Sequence, residues 1–201
     1  MDLEKTIRNL QRNEWEVSYF ETAAEASAYL DSKIDGRTVG FGDSETLRTM
    51  GVPEMLAKHN TVYCPIGIHD DEEFAKVTRQ CLSTDIFLTS VNAIAETGQM
   101  VNIDGTGNRV AGSIFGHEKV YMVAGVNKIA PTLDDAIWRV RNVAAPKNTA
   151  KFGYKTPCAI KGDKCYDCHA PRRICNLLAV YMQKMNGMDV EVVLVGEELG
   201  F

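Results

Sequence analysis

The sequence predicts an α/β fold in which a mostly parallel sheet is flanked by helices. Short apolar segments with the length of buried strands alternate along the chain with longer segments of helical periodicity. This alternation is typical of a parallel sheet, because consecutive parallel strands are usually joined by a crossover helix. The chain has 201 residues, which suffice for one sizeable core but are few for two. We therefore expect a single domain over residues 1–201.

The first half of the chain alternates strand and helix signals in a regular order. A charged amphipathic helix is predicted over residues 2–13. Thr22 and Glu25 are spaced as a capping box that begins the second helix, and Asp43-Ser44 provides N-cap residues for the third. Gly51 ends the third helix and permits another to begin. The predicted strands are residues 15–20, 38–42 and 61–64, and the helices after them span residues 22–34, 45–50 and 70–82.

The second half of the chain continues the alternation and adds a hairpin. The turn at residues 96–98 leads into a strand that pairs with the strand before it. A loop with two glycines, at residues 104–109, then precedes a helix. The predicted strands are residues 85–91, 100–103, 119–124 and 190–195, and the predicted helices are residues 110–115, 133–143 and about 173–185.

Composition and charge exclude several classes of protein. The formal net charge is −5 and both signs are mixed along the chain, so there is no basic surface of the kind that binds nucleic acid. No apolar run approaches the roughly 18–20 residues that cross a bilayer, so we expect no membrane association. The amino-terminal residues lack the basic-then-apolar pattern of an export signal, which predicts a cytoplasmic protein.

Four of the six cysteines lie in one short stretch, residues 156–176, which we call the cysteine segment. It is predicted to be inserted before the last helix and strand. Pro157, Gly162 and Pro171 interrupt regular structure, so the segment can fold back on itself. Converging thiolates can hold a tetrahedral metal ion or an iron–sulfur cluster. The segment therefore predicts a metal site at Cys158, Cys165, Cys168 and Cys175.

Three alternatives compete with a metal site. Disulfides are disfavoured in a reducing cytoplasm. A thioredoxin-like redox pair at Cys165 and Cys168 would leave the outer two cysteines unexplained, and chance clustering is improbable when the rest of the chain has two. Zinc sites usually pair two C-x-x-C knuckles, whereas here one knuckle has a single cysteine on each side, so the spacing favours a [4Fe–4S] cluster over zinc. His169 could replace one thiolate, and Arg172 and Arg173 would offset the thiolate charge.

Three loop regions follow predicted strands, at residues 40–46, at residues 92–98 together with 104–109, and at residues 125–128. Ligands of open α/β sheets bind beyond the carboxyl ends of the strands. The glycines of the first two loops permit a close backbone approach to an anion, although a plain tight turn would also explain them. Arg109 can hold a carboxylate or phosphate through two parallel hydrogen bonds, unless it pairs with Asp104 or Glu96. The candidate residues for binding a small anionic metabolite are Gly40, Gly42, Ser44, Gly105, Thr106, Gly107, Asn108, Arg109, Asn127 and Lys128.

Glu96 is the candidate catalytic carboxylate. It lies in the predicted turn, from which it could act as a base or as a nucleophile. The alternative is a structural carboxylate that accepts backbone hydrogen bonds in the turn, and the spacing alone favours this alternative.

Four further motifs occur in the order Val39–Leu47, Thr84–Ala111, Val123–Ile129 and Glu191–Phe201. Together they resemble the LUD domain, the domain of lactate utilization proteins B and C. The resemblance runs in the same order over nearly the whole chain, and the second motif is long and specific. Lactate utilization protein B has ferredoxin-type C-x-x-C-x-x-C-x-x-x-C-P runs, which are absent here. The chain therefore resembles a stand-alone LUD subfamily with its own four-cysteine motif.

The resemblance implies the α/β fold of ribose-5-phosphate isomerases and CoA transferases. It also implies a role near the oxidation of lactate to pyruvate, as an accessory component with iron–sulfur or flavin oxidoreductase subunits as partners; homo-oligomerisation stays open. Ala95–Gly98 is similar to the turn that carries the glutamate nucleophile of CoA transferases. A transferase or isomerase that uses Glu96 and holds structural zinc is therefore one alternative. A non-enzymatic ligand-sensing or assembly module is another.

Overall fold

The computed structural model describes residues 1–201 and contains two sheets. Six strands form an all-parallel central sheet in the order β1-β10-β7-β4-β2-β3. The predicted α/β fold with a mostly parallel sheet is therefore confirmed. In chain order the strands are β1 (Glu16–Phe20), β2 (Thr38–Phe41), β3 (Thr61–Tyr63), β4 (Ile86–Thr89), β5 (Ala93–Ala95), β6 (Met100–Asp104), β7 (Lys119–Gly125), β8 (Ile129–Ala130), β9 (Leu177–Tyr181) and β10 (Asp189–Val195).

Nine α-helices connect and flank the strands, and most begin where a capping residue predicts. Thr22 and Glu25 form both hydrogen bonds of the predicted capping box, and the Ser44 side chain caps the third helix. None of the helices is both long and apolar enough to span a membrane. The helices are α1 (Leu3–Arg12), α2 (Ala23–Lys33), α3 (Glu45–Thr49), α4 (Val52–Leu56), α5 (Asp71–Cys81), α6 (Asn108–Ile114), α7 (Leu133–Arg139), α8 (Ala145–Lys151) and α9 (Pro157–Lys161).

The central sheet is buried on both faces. Val192 and Leu194 of β10 belong to one core with Leu10 of α1, whereas Val193 belongs to a second core with Leu30 of α2. A strand between two cores has few polar positions, which explains why β10 is almost continuously apolar. Each fully buried aliphatic side chain of this kind contributes about 1.5–3 kcal/mol to the free energy of folding.

A second, four-stranded sheet has the order β8-β5-β6-β9 and contains the predicted hairpin of β5 and β6. Its last strand corrects one prediction, because residues 177–181 form β9 rather than part of a helix over 173–185. β9 pairs antiparallel with β6, with Val180 opposite Val101. Leu177 and Leu178 are both exposed, so the segment has neither a clear strand period nor a helical one. Its conformation depends on pairing with a strand far away in the sequence.

The helix predicted over residues 133–143 extends to Lys151. A π-helical turn at Val140–Ala144 joins α7 to α8, and the N–H of Ala145 donates to the carbonyl of Val140. Pro146 therefore falls in the first turn of α8, where its missing N–H group is tolerated. The extension brings the end of α8 to the carboxyl-terminal edge of the central sheet, where the cavity described next is found.

Candidate functional site

A cavity of about 660 Å³ opens beyond the carboxyl ends of β2, β3 and β4. This is the position at which α/β sheets bind ligands. We call it the edge cavity. Its charged lining comprises Asp43, Arg48, Asp71, Asp104, Arg109, Lys151 and Arg172.

The loop between β6 and α6 forms one wall of the edge cavity through Gly105, Thr106, Asn108 and Arg109. The buried carboxylate of Asp104 shapes this loop. One Asp104 oxygen accepts the N–H of Thr106 at 3.3 Å and the other accepts the N–H of Val110 at 3.1 Å. Both Asp104 oxygens thus have partners inside the protein. Four residues predicted from the sequence to bind a ligand therefore lie at this cavity.

Arg109 reaches the edge cavity across the backbone of Gly42. A Cβ atom at Gly42 would come within 3.0 Å of Arg109 Cγ, so the glycine makes room for the arginine stem. The guanidinium donates to the carbonyl oxygen of Ile103 at 2.6 Å and to Asn92 Oδ1 at 3.4 Å. It forms no ion pair with Asp104 or Glu96, the two alternatives that the sequence left open. A guanidinium without a carboxylate partner is suited to bind an anion.

Asp43 is a half-buried carboxylate in the edge cavity. The N-cap of α3 is its neighbour Ser44, which leaves Asp43 without a capping role. Burial raises the pKa of Asp43, while the positive charges of Arg109 and Lys151 lower it. Both cations line the edge cavity together with Asp43 and act electrostatically on its carboxylate. Of the pair Asp43-Ser44 that the sequence suggested as caps, the first faces the cavity and the second does not.

Arg48 and Lys151 are held at the edge cavity by Glu45. Arg48 Nε donates to Glu45 Oε2 at 2.9 Å, and Lys151 forms an ion pair with the same carboxylate. The hydrogen bond from Arg48 is the largest cause that lowers the pKa of Glu45, to about 2. Glu45 therefore stays ionised and positions both cations, one of them from the distant helix α8.

Six predicted ligand-binding residues lie outside the lining of the edge cavity, among them Gly42, which accommodates the Arg109 stem, and Lys128, described below. The other four are needed for packing or for capping. A Cβ atom at Gly40 would come within 2.6 Å of the carbonyl oxygen of Cys81. Ser44 Oγ accepts the N–H of Leu47 at 3.3 Å. Gly107 has a φ of 88°, a left-handed conformation that favours glycine. Asn127 Oδ1 accepts the N–H of Leu199 at 3.1 Å and so anchors the segment that follows β10.

Lys128 lies beneath the same sheet edge but is buried, with 2% of its surface exposed. Its ammonium group donates to Thr46 Oγ1 and Ser90 Oγ, at 2.8 Å each, and has no carboxylate partner. Burial lowers the pKa of Lys128 to about 7, and the charges of Arg139 and Arg109 lower it further. Lys128 therefore lies near the edge without lining the cavity, and with a pKa of about 7 it is only partly protonated at neutral pH.

Glu96 does not line the edge cavity but binds the start of α1. Its Oε1 accepts the N–H of Asp2 at 2.8 Å, and its Oε2 accepts a hydrogen bond from Lys5 Nζ at 3.1 Å. The hydrogen bond from Asp2 and then that from Lys5 lower the pKa of Glu96. These contacts match the structural alternative for this turn carboxylate.

The four cysteines of the cysteine segment line a second, smaller cavity, of about 20 Å³, which we call the cysteine cavity. Cys158 is on α9, whereas the other three lie in residues 162–176, which form neither helix nor strand. No three His, Cys, Asp or Glu side chains of the chain converge as a site for one metal ion. The fold thus gathers all four predicted ligands around one space without bringing them to a common point.

The C-x-x-C turn is held from outside the cysteine segment. Cys165 N–H donates to Asn142 Oδ1 at 3.1 Å, and Arg141 donates to Asp167 at 3.0 Å and to Cys165 Sγ at 3.8 Å. Asp167 has a φ of 47°, and its N–H donates to Cys165 Sγ at 3.4 Å. The π-helical turn therefore supplies the residues that fix this knuckle, a role that the sequence did not indicate.

Arg173 lies among the cysteines, but Arg172 does not. Arg173 donates to the carbonyl oxygens of Cys168 at 2.6 Å and Cys175 at 2.8 Å, and its buried Nε has no partner. Hydrogen bonding to Cys175 raises the pKa of Arg173. Arg172 instead lies over the ring of Tyr154, 5.4 Å from its centroid, at the edge cavity. The prediction that both arginines offset the thiolates therefore needs correction for Arg172.

The two cavities share a wall made of Ile103, Ala145 and Ile174. The cysteine segment is docked there on the loop between β6 and α6. Asn176 Nδ2 donates to the carbonyl oxygen of Gly105 at 2.9 Å, and a Cβ atom at Gly105 would come within 3.1 Å of Ile174 Cα. The sequence did not predict this contact between its two candidate sites.

The two remaining cysteines lie elsewhere. Cys81 is buried on α5, and its thiol donates to the carbonyl oxygen of Tyr63 at 3.2 Å. Burial raises the pKa of Cys81, and raises that of Cys64 to about 12. Thiols with raised pKa values are poor nucleophiles, which agrees with the structural role expected for isolated buried cysteines.

Comparisons with known proteins were made for the sequence and for the fold. The family model of the LUD domain matches residues 3–195. No curated protein matches the chain. The chain is similar to the crystal structure of a DUF162 family protein from Deinococcus radiodurans, with a TM-score of 0.51, 14% identity and 96% of each chain covered. At this identity the structural likeness supports the fold alone, whereas the family model covers almost the whole sequence. The chain belongs to the LUD domain family.

Proposed function

We propose that this protein is a cytoplasmic accessory component of an oxidoreductase that acts in organic-acid metabolism, such as lactate utilization. It binds a small anionic metabolite, an organic acid or a phosphorylated compound, in the edge cavity. It holds a metal centre at Cys158, Cys165, Cys168 and Cys175. Its partners are iron–sulfur or flavin oxidoreductase subunits.

The charges of the edge cavity support an anionic ligand. Its lining carries four arginine and lysine side chains and three aspartates, and the nearby Glu45 pairs with two of the cations, Arg48 and Lys151. Asp104 uses both oxygens to accept backbone N–H groups, so its carboxylate is engaged by the protein. Arg109 has no carboxylate partner and is the residue that we expect to contact the anion.

The donor set of the cysteine cavity supports a thiolate-bound metal centre. Four thiols line one space, and the buried Nε of Arg173 at its wall lacks an acceptor. An unpartnered buried donor is costly, by about 1–3 kcal/mol, unless an acceptor is supplied. The sulfur atoms of a thiolate centre would be suitable acceptors for this N–H. Four thiols around one space and this unpartnered donor support a thiolate centre, which requires the thiols to converge further, since no three of them meet at one point.

Two observations point to different centres. The cysteine spacing favours a [4Fe–4S] cluster, in which each thiolate binds a separate iron. The cavity volume of about 20 Å³ is close to that of one water-sized atom, which favours a single zinc ion. Residues 162–176 form neither helix nor strand and can adjust to either centre. When bound, a cluster would supply one-electron transfer, whereas zinc would only stabilise the segment.

The observation that carries the proposal is the shared wall of the two cavities. Ile103, Ala145 and Ile174 line both the edge cavity and the cysteine cavity. A redox role requires that a ligand and an electron-transferring centre lie near each other, and this arrangement provides that proximity. The protein groups bind and orient the anion beside this shared wall.

The metal centre is tested by anaerobic reconstitution of the full chain with ferrous iron and sulfide, and in parallel with zinc alone. A [4Fe–4S] centre predicts about four iron and four sulfide per chain, with broad visible absorption. Colourless protein with about one zinc per chain would keep the four-cysteine site but remove the electron-transfer role. Protein that retains neither metal after desalting would contradict the metal site.

The anion site is tested by calorimetric titration with inorganic phosphate and with lactate. Removing a hydrogen-bonding partner of a charged group costs about 1.5–3 kcal/mol, so Arg109→Ala should weaken binding by about 10- to 100-fold. Lys58→Ala is the matched control, because Lys58 is exposed and does not line the cavity. Equal affinity in the wild type and Arg109→Ala would show that the anion does not bind at Arg109.

A further inference from the structure

The edge cavity has an apolar half as well as a charged one. Its aromatic lining comprises Phe74 from α5 and Phe152 and Tyr154 from the end of α8. The rings of Phe152 and Tyr154 are stacked, with centroids 5.5 Å apart and an interplanar angle of 25°. Phe152 is 36% exposed although it is a large apolar side chain. Aromatic surface left open inside a cavity is suited to contact with an apolar or planar part of a ligand.

The size of the cavity also exceeds the needs of a small acid. At about 660 Å³ it falls within the range of about 300–1,000 Å³ that is typical of sites for drug-sized ligands. A ligand with only a few non-hydrogen atoms would occupy the charged end and leave the aromatic end to water. The volume and the aromatic lining therefore indicate a ligand that is larger than lactate.

The charged and aromatic groups are contiguous. Lys151 lies next to Phe152 in the chain and lines the same cavity as Asp43 and Arg109. Arg172 is 5.4 Å from the ring centroid of Tyr154, so a second cation borders the aromatic end. A ligand whose anionic group lies beside Lys151 thus has aromatic side chains within reach of the group next to it.

We propose that the edge cavity binds a planar heterocyclic monophosphate of the mononucleotide type. Its phosphate lies at Arg109 and Lys151, and its ring packs against Phe152 and Tyr154. Asp43 is placed to accept hydrogen bonds from hydroxyl groups between the ring and the phosphate. This inference rests on the proposed function in one respect, since it requires that the edge cavity binds an anion.

Calorimetric titration of the full chain with AMP, FMN, riboflavin and inorganic phosphate tests the inference. We expect AMP or FMN to bind at least about 10-fold more tightly than inorganic phosphate, since stacking of a base on an aromatic side chain is worth about that factor or more. Riboflavin, which lacks the phosphate, should bind more weakly than FMN. Phe152→Ala should weaken binding of the heterocyclic monophosphate about 10-fold and leave phosphate binding unchanged.

Two further variants keep the test decisive. Tyr154→Leu should act in the same direction as Phe152→Ala, and Phe115→Ala is the control, since Phe115 is 79% exposed and outside the cavity. If phosphate binds as tightly as AMP and FMN, and Phe152→Ala changes nothing, the heterocyclic ligand is wrong while the anion site stands. If none of the four probes binds, both the inference and the anion site are wrong.

Discussion

The edge cavity and the cysteine cavity are neighbours, but they are built in different ways. The charged lining of the edge cavity comes from segments spread over residues 43–172, and each side chain is placed by the fold of the whole sheet. The cysteine cavity takes its four thiols from a single segment of residues 158–175, of which only Cys158 lies on a helix. The edge cavity should therefore persist for as long as the domain is folded. The cysteine cavity should depend on local contacts and on its metal.

The largest expected effect is a loss of metal binding at the cysteine cavity that leaves the edge cavity intact. Replacing Cys165 and Cys168 together by serine should abolish metal retention, because only two thiolates remain for a centre that needs about four. Phosphate affinity should stay within about twofold of the wild type, since neither cysteine lines the edge cavity. Metal content per chain and calorimetry measure the two outcomes. A parallel loss of phosphate binding would show that the edge cavity also depends on the metal.

The pH dependence of stability tests whether Lys128 is buried beneath the sheet edge. Its pKa of about 7 in the folded chain is well below the ordinary lysine value, so the unfolded chain binds the extra proton between these values. Stability should rise with pH from about 7 to about 10, by on the order of 4 kcal/mol, and this gain is lost as pH falls through 7.

The measurement for Lys128 is urea unfolding as a function of pH. In Lys128→Met the rise should disappear, whereas the exposed control Lys58→Met should keep it. A wild-type profile that matches that of Lys128→Met would show that Lys128 is solvated and that the edge is open to water.

Two glycine variants test the contact between the regions. In Gly105→Ala the new methyl group would approach Ile174 Cα to 3.1 Å, and in Gly42→Ala it would approach Thr89 Oγ1 to 2.7 Å and Arg109 Cγ to 3.0 Å. Each should cost about 1–3 kcal/mol of stability through overpacking. Gly105→Ala should lower both metal retention and phosphate affinity, whereas Gly42→Ala should lower phosphate affinity alone. The same result for both variants would contradict docking of the cysteine segment through Gly105.

The smallest expected effect concerns Asp43. Because burial raises its pKa, this carboxylate is protonated at a higher pH than an ordinary aspartate, and protonation removes a negative charge from the anion site. Sulfate binding should therefore strengthen by about fivefold as pH falls through the pKa of Asp43. Asp43→Asn should bind sulfate with the tighter affinity at every pH. A pH-dependent affinity in Asp43→Asn would assign the proton to another group.

Local patterns in the sequence were enough to predict several parts of this protein. The alternation of buried strands and helices determined the α/β class, because burial on both faces of a parallel strand leaves an apolar run that is visible in the sequence. The spacing of Thr22 and Glu25 determined a helix start, since a capping box involves only neighbouring residues. The spacing of the four cysteines likewise identified the side chains that line the cysteine cavity, but not whether a metal binds there.

Contacts between residues that are distant in the sequence depend on the tertiary structure. Nothing near Asp43 in the sequence indicates that it lines one cavity with Arg109 and Lys151, because Lys151 is brought there by the packing of α8, which follows the π-helical turn. β9 is a strand because β6 offers it hydrogen-bonding partners, and its own residues have no clear period. Arg172 lines the edge cavity and Arg173 lines the cysteine cavity, since the backbone between Pro171 and Cys175 turns at the shared wall. Such contacts depend on packing between elements, which a local sequence pattern does not encode.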